Sequence, residues 1–293
     1  MSLYRTQSAA QLIAQRYRTF LSYWPQPNRQ FHVPTRFGET FVISCGADSA
    51  PPLLLFHGAG SNSAMWIGDA AAWSAGYKVH AIDMIGEPGF SAETRPPLNS
   101  DAYALWLDDV LDALHVDRFS VIGLSLGGWL ALGYATRRPA RVDRLVLIVP
   151  AGIGRQRSSF LFKVLPLLLL GDWGRKKAMQ IVIGAAPGAS TQGSRAYMEY
   201  MAMVQRHFRP RRERLPIFPD SALRQLTMPV LAILGGKDVI LDSAETRIRL
   251  QRSVPQAQIR YLPDLGHGVF GEREAIHEFL TSPSLDNQIG ARR

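Results

Sequence analysis

The pentapeptide Gly123-Leu124-Ser125-Leu126-Gly127 directly follows the apolar run Phe119-Ser120-Val121-Ile122. That order describes a strand passing into a helix through one serine. Glycines two positions either side suit such a turn, because the backbone at the serine is strained and neighbouring side chains would clash. The turn lifts the Ser125 hydroxyl clear of the sheet. It also leaves the Leu126 N–H, at the start of the next helix, free to donate to a developing oxyanion. Glycine and serine are common, so the pentapeptide acquires meaning only from its context.

The context is alternation. Phe31–Phe37 and Thr40–Ser44 read as a hairpin around Gly38-Glu39. Leu53–Phe56 is an all-apolar run ending in His57-Gly58, as a central strand would be. Met65–Trp73 is helix-like and Tyr77–Ile82 is a strand stopped by Asp83. Asp101–Leu114 is an amphipathic helix with Leu105, Val110, Leu111 and Leu114 available to one face. Phe119–Gly123 is a strand, Leu126–Arg137 a helix, and Arg144–Val149 a strand ended by Pro150 and Gly152. After a break come a strand Val230–Leu234, a helix Ser243–Ser253, a strand Gln258–Leu262 and a helix Glu272–Leu280; Thr281–Arg293 is polar and expected to fray. No internal repeat interrupts this order. Strands and helices in alternation, with short connections, predict an α/β fold: a mostly parallel sheet with helices on both faces and its site at the C-terminal strand ends. Ser125 falls at such an end.

The alternation fails between Pro150 and Pro229. The interval is helix-rich, basic and apolar in places, with Gly184–Gly193 as a loop. It reads as an insertion over the strand ends, so that residues 1–150 and 221–293 form the core and 151–220 a helical cap. The chain has 293 residues, of which 46% are hydrophobic and 19% charged, enough for a large buried core. Its net charge of +9 is concentrated in the cap, where twelve Lys or Arg face four Asp or Glu between Ala151 and Asp220. The densest run, Arg206–Arg214, reads as a solvated helix end and loop. No zinc-finger spacing, RNA-recognition signature or phosphate-binding loop accompanies the charge, so nucleic acid is not an expected partner.

Cys45 stands alone, which excludes an intrachain disulfide, fits a reducing compartment and reads as a small buried hydrophobe after a strand. Met1–Thr19 lacks an uninterrupted apolar core and a cleavage site, so no secretory signal is expected. The longest apolar stretch, Leu161–Leu170, is far short of the roughly 20 residues that cross a bilayer. A cytoplasmic protein without a membrane span is expected.

A serine hydroxyl is a weak nucleophile at neutral pH and needs a base, which in turn needs an orienting acid. Of seven histidines, His267 sits in Asp264-Leu265-Gly266-His267-Gly268 just after the last strand, placed to reach Ser125. His277 lies within a helix and reads as a surface residue, and His57, before a glycine turn, reads as bonded to local backbone. The acid should also end a strand that follows the serine strand. Ile148-Val149-Pro150-Ala151-Gly152 offers no carboxylate, whereas Leu234-Gly235-Gly236-Lys237-Asp238 offers Asp238. Asp242 is the fallback, and Asp264 reads as a turn former. An oxyanion hole needs two donors. Leu126 supplies one, and the small residues of His57-Gly58-Ala59-Gly60-Ser61 make the Ala59 N–H the candidate for the other.

His57-Gly58, Asp83-Met84-Ile85-Gly86-Glu87-Pro88-Gly89-Phe90-Ser91, Gly123–Gly128, Gly235-Gly236-Lys237-Asp238 and Gly266-His267-Gly268 occur in that order. From about Phe31 to Leu280 the chain resembles the α/β-hydrolase superfamily, in its serine esterase-like branch. The resemblance implies an eight-stranded sheet and a lid inserted after the sixth strand. It also implies Ser125, Asp238 and His267 as the catalytic triad, with Ala59 and Leu126 as oxyanion donors. The Asp83 segment departs from the family's Asp-x-x-Gly-x-Gly-x-Ser loop, because Glu87-Pro88 adds a residue between the glycines. A serine at 125 argues against haloalkane dehalogenases and epoxide hydrolases, which use a carboxylate. The missing His-Gly-Gly-Gly loop argues against the lipases that carry it.

The expected reaction is hydrolysis of a carboxylic ester through an acyl-enzyme on Ser125, with no cofactor and no metal. Phe160–Trp173 could line an apolar acyl pocket or pack the cap on the core, and Met179, Tyr197, Met198, Met201 and Met203 are open in the same way. The expected partner is a small-molecule ester with an apolar moiety. The alternatives are a carbon–carbon bond hydrolase, aminopeptidase or acyltransferase on the same triad, or a non-catalytic ligand receptor.

Overall fold

A computed structural model describes residues 2–184, 192–269 and 271–282. Helix α1 (Gln7–Leu21) precedes the antiparallel pair β1 (Asn28–Val33) and β2 (Thr40–Cys45). Then follow β3 (Pro52–Phe56), α2 (Ile67–Trp73), β4 (Lys78–Ile82), α3 (Ala102–Ala113), β5 (Phe119–Leu124), α4 (Leu126–Arg137) and β6 (Val142–Ile148). Helices α5 (Leu161–Leu168), α6 (Gly171–Ile183), α7 (Gln192–His207) and α8 (Asp220–Leu223) separate β6 from β7 (Val230–Gly235). The chain closes with α9 (Ser243–Ser253), β8 (Gln258–Leu262) and α10 (Arg273–Thr281).

The eight strands form one sheet in the order β1-β2-β4-β3-β5-β6-β7-β8. All pairings from β4 onward are parallel; β2 is antiparallel to both β1 and β4. The central strands are apolar on both faces because helices cover both. Leu53, Leu55, Ile122, Val146 and Ile233 face one core cluster, while Leu54, Phe56, Val121, Leu145 and Ala232 face the other. The strand order reverses between β3 and β5, so the loops after these two strands meet at the C-terminal edge, the place where open α/β sheets build their sites.

Three details depart from the sequence reading. The first strand ends at Val33 rather than Phe37, because Pro34 has no N–H to give the ladder and Thr35–Gly38 closes a turn with reciprocal backbone bonds. The buried stripe of α3 is Trp106, Leu107, Val110 and Leu111, with Leu105 and Leu114 half-buried. The Trp106 indole N–H donates to the Thr40 hydroxyl at 2.8 Å, which turns that face inward. The N-terminal segment contains helix α1, unforeseen although Ala9, Ile13, Tyr17 and Leu21 recur every fourth residue and are buried. Of the expected Gly184–Gly193 loop, residues 185–191 lie outside the described residues, and Gly193 belongs to α7. The expected polar tail lies outside them from residue 283 onward.

Helix α7 is strapped to the rest of the molecule by the N-terminal segment. The Arg5 N–H donates to the His207 carbonyl at 2.8 Å and the Arg209 N–H to the Leu3 carbonyl at 2.7 Å. Phe20 of α1 lies 5.8 Å from the Tyr197 ring and 5.2 Å from that of Tyr200.

Helix α4 approaches β3 backbone to backbone. A β-carbon on Gly127 would lie 2.3 Å from the Phe56 carbonyl oxygen and 2.7 Å from that of His57. Gly127→Ala should therefore lower the unfolding free energy by about 1–3 kcal/mol in urea titration. Gly76→Ala, at an exposed site with nothing within 4 Å, should stay within about 0.5 kcal/mol of the parent.

Candidate active site

Strand β5 passes into α4 through Ser125 alone, whose backbone has φ +53° and ψ −106°. Few side chains tolerate that region, and the surrounding hydrogen bonds hold it. The Ser125 N–H donates to the Ile148 carbonyl at 2.9 Å, and the Ser125 carbonyl accepts from Trp129 and Ala151 at 3.0 and 3.2 Å. A β-carbon on Gly123 would meet the Gly127 carbonyl oxygen at 2.4 Å, so both flanking glycines are required by contact.

Three side chains converge at this corner. The Ser125 hydroxyl lies 3.0 Å from His267 Nε2, and His267 Nδ1 lies 2.7 Å from Asp238 Oδ2. The Asp238 carboxylate is fully buried, and its Oδ1 accepts the backbone N–H groups of Ile240 and Leu241 at 2.8 and 3.0 Å. Because a carboxylate only accepts, its Oδ2 bonds the imidazole through Nδ1–H, which leaves Nε2 as the acceptor towards Ser125. The loops carrying acid and imidazole are bound together as well. Gly236 N–H donates to the Leu262 carbonyl and Lys237 N–H to the Leu265 carbonyl, each at 2.8 Å.

The remaining candidates fall elsewhere. Asp242 caps α9 by accepting the Glu245 N–H at 3.0 Å and pairs with Arg157. Asp264 bonds Lys237 on the surface. His277 is exposed. His57 is buried and bonds backbone at both nitrogens, the Gly58 carbonyl at 2.9 Å from Nδ1 and the Met84 N–H at 3.0 Å to Nε2. Burial pushes its pKa down, so it stays neutral and brackets the two loops. Cys45 is buried, as its surroundings in β2 predicted.

The loop after β3 flanks the serine, since a β-carbon on Gly58 would lie 3.9 Å from the Ser125 β-carbon. Neither the Ala59 nor the Leu126 N–H donates to an acceptor among the described residues.

Several residues that anchor this corner escaped the sequence reading. Asp83, buried at the end of β4, takes the Tyr17 hydroxyl at 2.8 Å, the Ser63 N–H and hydroxyl at 2.9 and 2.7 Å, and the Phe90 N–H at 2.8 Å. Asn62 donates to the Pro88 carbonyl at 2.7 Å and to the Tyr200 hydroxyl at 2.6 Å. Ser61 and Tyr197 share a hydroxyl–hydroxyl bond of 3.0 Å. Glu87, half of the unusual Glu87-Pro88 pair, is buried and accepts the Gly60 N–H at 2.6 Å. The signal for Asp83 was its place at a strand end. Glu87 was marked by the residue it adds between the glycines, and nothing local marks the roles of the others, because their partners are distant in sequence.

The apolar cap residues divide. Tyr197, Met201 and Met203 of α7 pack against the core. Phe162, Leu165, Leu169, Leu170 and Trp173 of the α5–α6 hairpin stay exposed, so cap-to-core packing does not account for them. The Met179 side chain lies outside the described ones. Most of the Arg206–Arg214 run is exposed, but Arg211 folds onto Tyr103 and bonds its hydroxyl at 3.0 Å. Among the described residues no group of three or more His, Cys, Asp or Glu could hold a metal ion, and no helix is long and apolar enough to cross a membrane.

Comparison with known proteins adds independent observations. The alpha/beta hydrolase family matches residues 53–279. An uncharacterized carboxylesterase, nap, of Bacillus subtilis is 31% identical over 86% of this chain and 85% of its own. Carboxylesterase YbfK of the same organism is 31% identical over 86% of each chain. The crystal structure of naproxen esterase from Bacillus subtilis superposes with a TM-score of 0.80 at 29% identity, covering 94% of this chain and all of that one.

Burial raises the Glu87 pKa from 4.5 to about 7, with the Gly60 N–H, Arg95 and Arg211 pulling the other way. The folded state therefore holds this proton where the unfolded state has lost it, and stability falls as pH rises from about 4.5 to about 7. Glu87→Gln removes that term. Its unfolding free energy relative to the parent should improve by about 1 kcal/mol or more across this window, in urea titrations at successive pH values.

Proposed function

Since the chain belongs to the alpha/beta hydrolase family, we propose that it is a serine carboxylesterase using Ser125, His267 and Asp238. The carrying observation is the continuous bond series from the Ser125 hydroxyl through both imidazole nitrogens to a buried carboxylate.

Ser125 Oγ attacks the ester carbonyl while His267 Nε2 takes its proton. The negative charge that forms on the carbonyl oxygen meets the N–H groups of Ala59 and Leu126, which are fixed before the substrate arrives. Asp238 holds Nδ1–H and stabilises the imidazolium. The imidazolium then protonates the leaving alcohol, leaving an acyl ester on Ser125. A water molecule, deprotonated by the same Nε2, releases the carboxylic acid and restores the hydroxyl.

Residues 151–220 serve as the cap, with the α5–α6 hairpin beside the loop that carries His267. In support, a β-carbon on Gly184, at the end of α6, would lie 3.4 Å from the Gly266 N, next to His267. The apolar residues of this hairpin support an ester with an apolar moiety, in keeping with the naproxen esterase and carboxylesterase relatives.

A panel of p-nitrophenyl esters from acetate to octanoate, run beside vinylogous diketones, tests the reading. Ester turnover is expected, along with covalent labelling by a fluorophosphonate probe that disappears in Ser125→Ala. That variant should keep its unfolding free energy within about 1 kcal/mol, because it loses one partly buried hydrogen bond and no backbone contact. Asp238→Asn should lower kcat by about three to four orders of magnitude. Turnover of diketones but no ester, or labelling that persists in Ser125→Ala, would overturn the proposal.

A further inference from the structure

We propose that Glu87 is a positioning residue for the oxyanion hole, its carboxylate fixing the Gly60 N–H and thereby aiming the neighbouring Ala59 N–H at the reacting carbonyl oxygen. This rests on the serine esterase reading above, and in particular on Ala59 as a donor.

The loop from His57 to Asn62 is tethered from one side by two consecutive residues. Glu87 Oε2 accepts the Gly60 N–H at 2.6 Å, and the Pro88 carbonyl accepts Asn62 Nδ2 at 2.7 Å. These are the two residues with which the Asp83–Ser91 segment departs from the family pattern, where one residue separates the glycines. The extra residue thus carries a contact. Gly60 itself has φ +67° with no atom within 4 Å of a would-be β-carbon. Its conformation, not crowding, calls for glycine, and a glycine free to take many backbone angles is one whose angle a bonded partner can select.

Glu87 as a residue is 6% exposed, so placing its carboxyl there is costly unless it bonds something. Among the described residues its hydrogen-bond donor is the Gly60 N–H. The nearby cations are engaged elsewhere. Arg95 bonds the Gly86 and Arg209 carbonyls, and Arg211 bonds Glu213, the Pro96 carbonyl and the Tyr103 hydroxyl. The other ionisable groups whose charges are felt in this region are Tyr4, Tyr103, Asp83 and Glu93. A buried carboxyl held off its arginine neighbours, with one short bond to the residue after Ala59, is suited to setting a backbone angle.

Length and charge separate this role from a purely electrostatic one. Glu87→Gln keeps an acceptor oxygen at the same reach without the charge. Glu87→Asp keeps the charge but is one methylene too short. On p-nitrophenyl butyrate, Glu87→Asp should lose about 10- to 100-fold in kcat, with KM changed less than about threefold, because a displaced oxyanion donor is missed mainly in the transition state. Glu87→Gln should keep kcat within about threefold of the parent. Far-ultraviolet circular dichroism and melting curves establish that both variants are folded. Equal losses in both variants, parental kcat in Glu87→Asp, or a loss confined to Glu87→Gln would overturn the inference while leaving the esterase reading intact. Failure of the parent enzyme to cleave any ester would instead overturn that reading.

Discussion

Strand β5 and helix α4 are joined by one residue, and Ser125 must therefore occupy a backbone conformation that costs about 1–3 kcal/mol. The strain persists because its surroundings leave no alternative. Its N–H and carbonyl are both bonded, to β6, to the first turn of α4 and to Ala151. Gly127 lies against the Phe56 and His57 carbonyls, so α4 cannot slide along its axis to relax the turn. The central strands that hold this position are almost wholly buried. Everything the corner presents to a ligand, the hydroxyl on one side and the Leu126 N–H on the other, follows from that forced turn.

The loops around the serine are tied by polar groups rather than by apolar packing. Each loop leaves a sheet edge with backbone N–H and carbonyl groups that the ladder no longer satisfies. His57, Asp83, Asn62 and Glu87 supply partners for them. Such bonds are directional, which apolar contacts are not, and a reacting geometry must be kept to within a fraction of an ångström. The price is several buried ionisable groups. Each is tolerable because it is either neutral, as His57 is, or surrounded by donors, as Asp83 is.

The sheet and the three side chains that meet at its edge were legible in the sequence because their signals are local. Leu53–Phe56 and Val121–Ile122 are apolar on both faces, and Ser125, Asp238 and His267 each sit within five residues of a strand end. Helix α1 was equally local, since the fourfold spacing of Ala9, Ile13, Tyr17 and Leu21 lay open to view. Glu87 was noticed only as an irregularity. Its meaning depends on β3 and β4 being neighbours in the sheet, which brings Gly60 to it across 27 residues. The Tyr197 and Tyr200 contacts span still more chain, 136 and 138 residues, and no window of sequence contains both partners.

Those two tyrosines also divide the inserted segment into unlike halves. Helix α7 is bonded at one end to the N-terminal strap and along its length to Ser61 and Asn62, within the loop that carries Ala59. Moving α7 would break both hydroxyl contacts and disturb the loop they hold, so α7 is part of that loop's support. The α5–α6 hairpin instead leaves Phe162, Leu165, Leu169, Leu170 and Trp173 exposed and meets the His267 loop at Gly184. Changes in the hairpin therefore leave the hydroxyl contacts of α7 to Ser61 and Asn62 untouched. The two halves of the insertion thus bear on different loops, α7 on the one after β3 and the hairpin on the one that carries His267, and substitutions in one need not disturb the other.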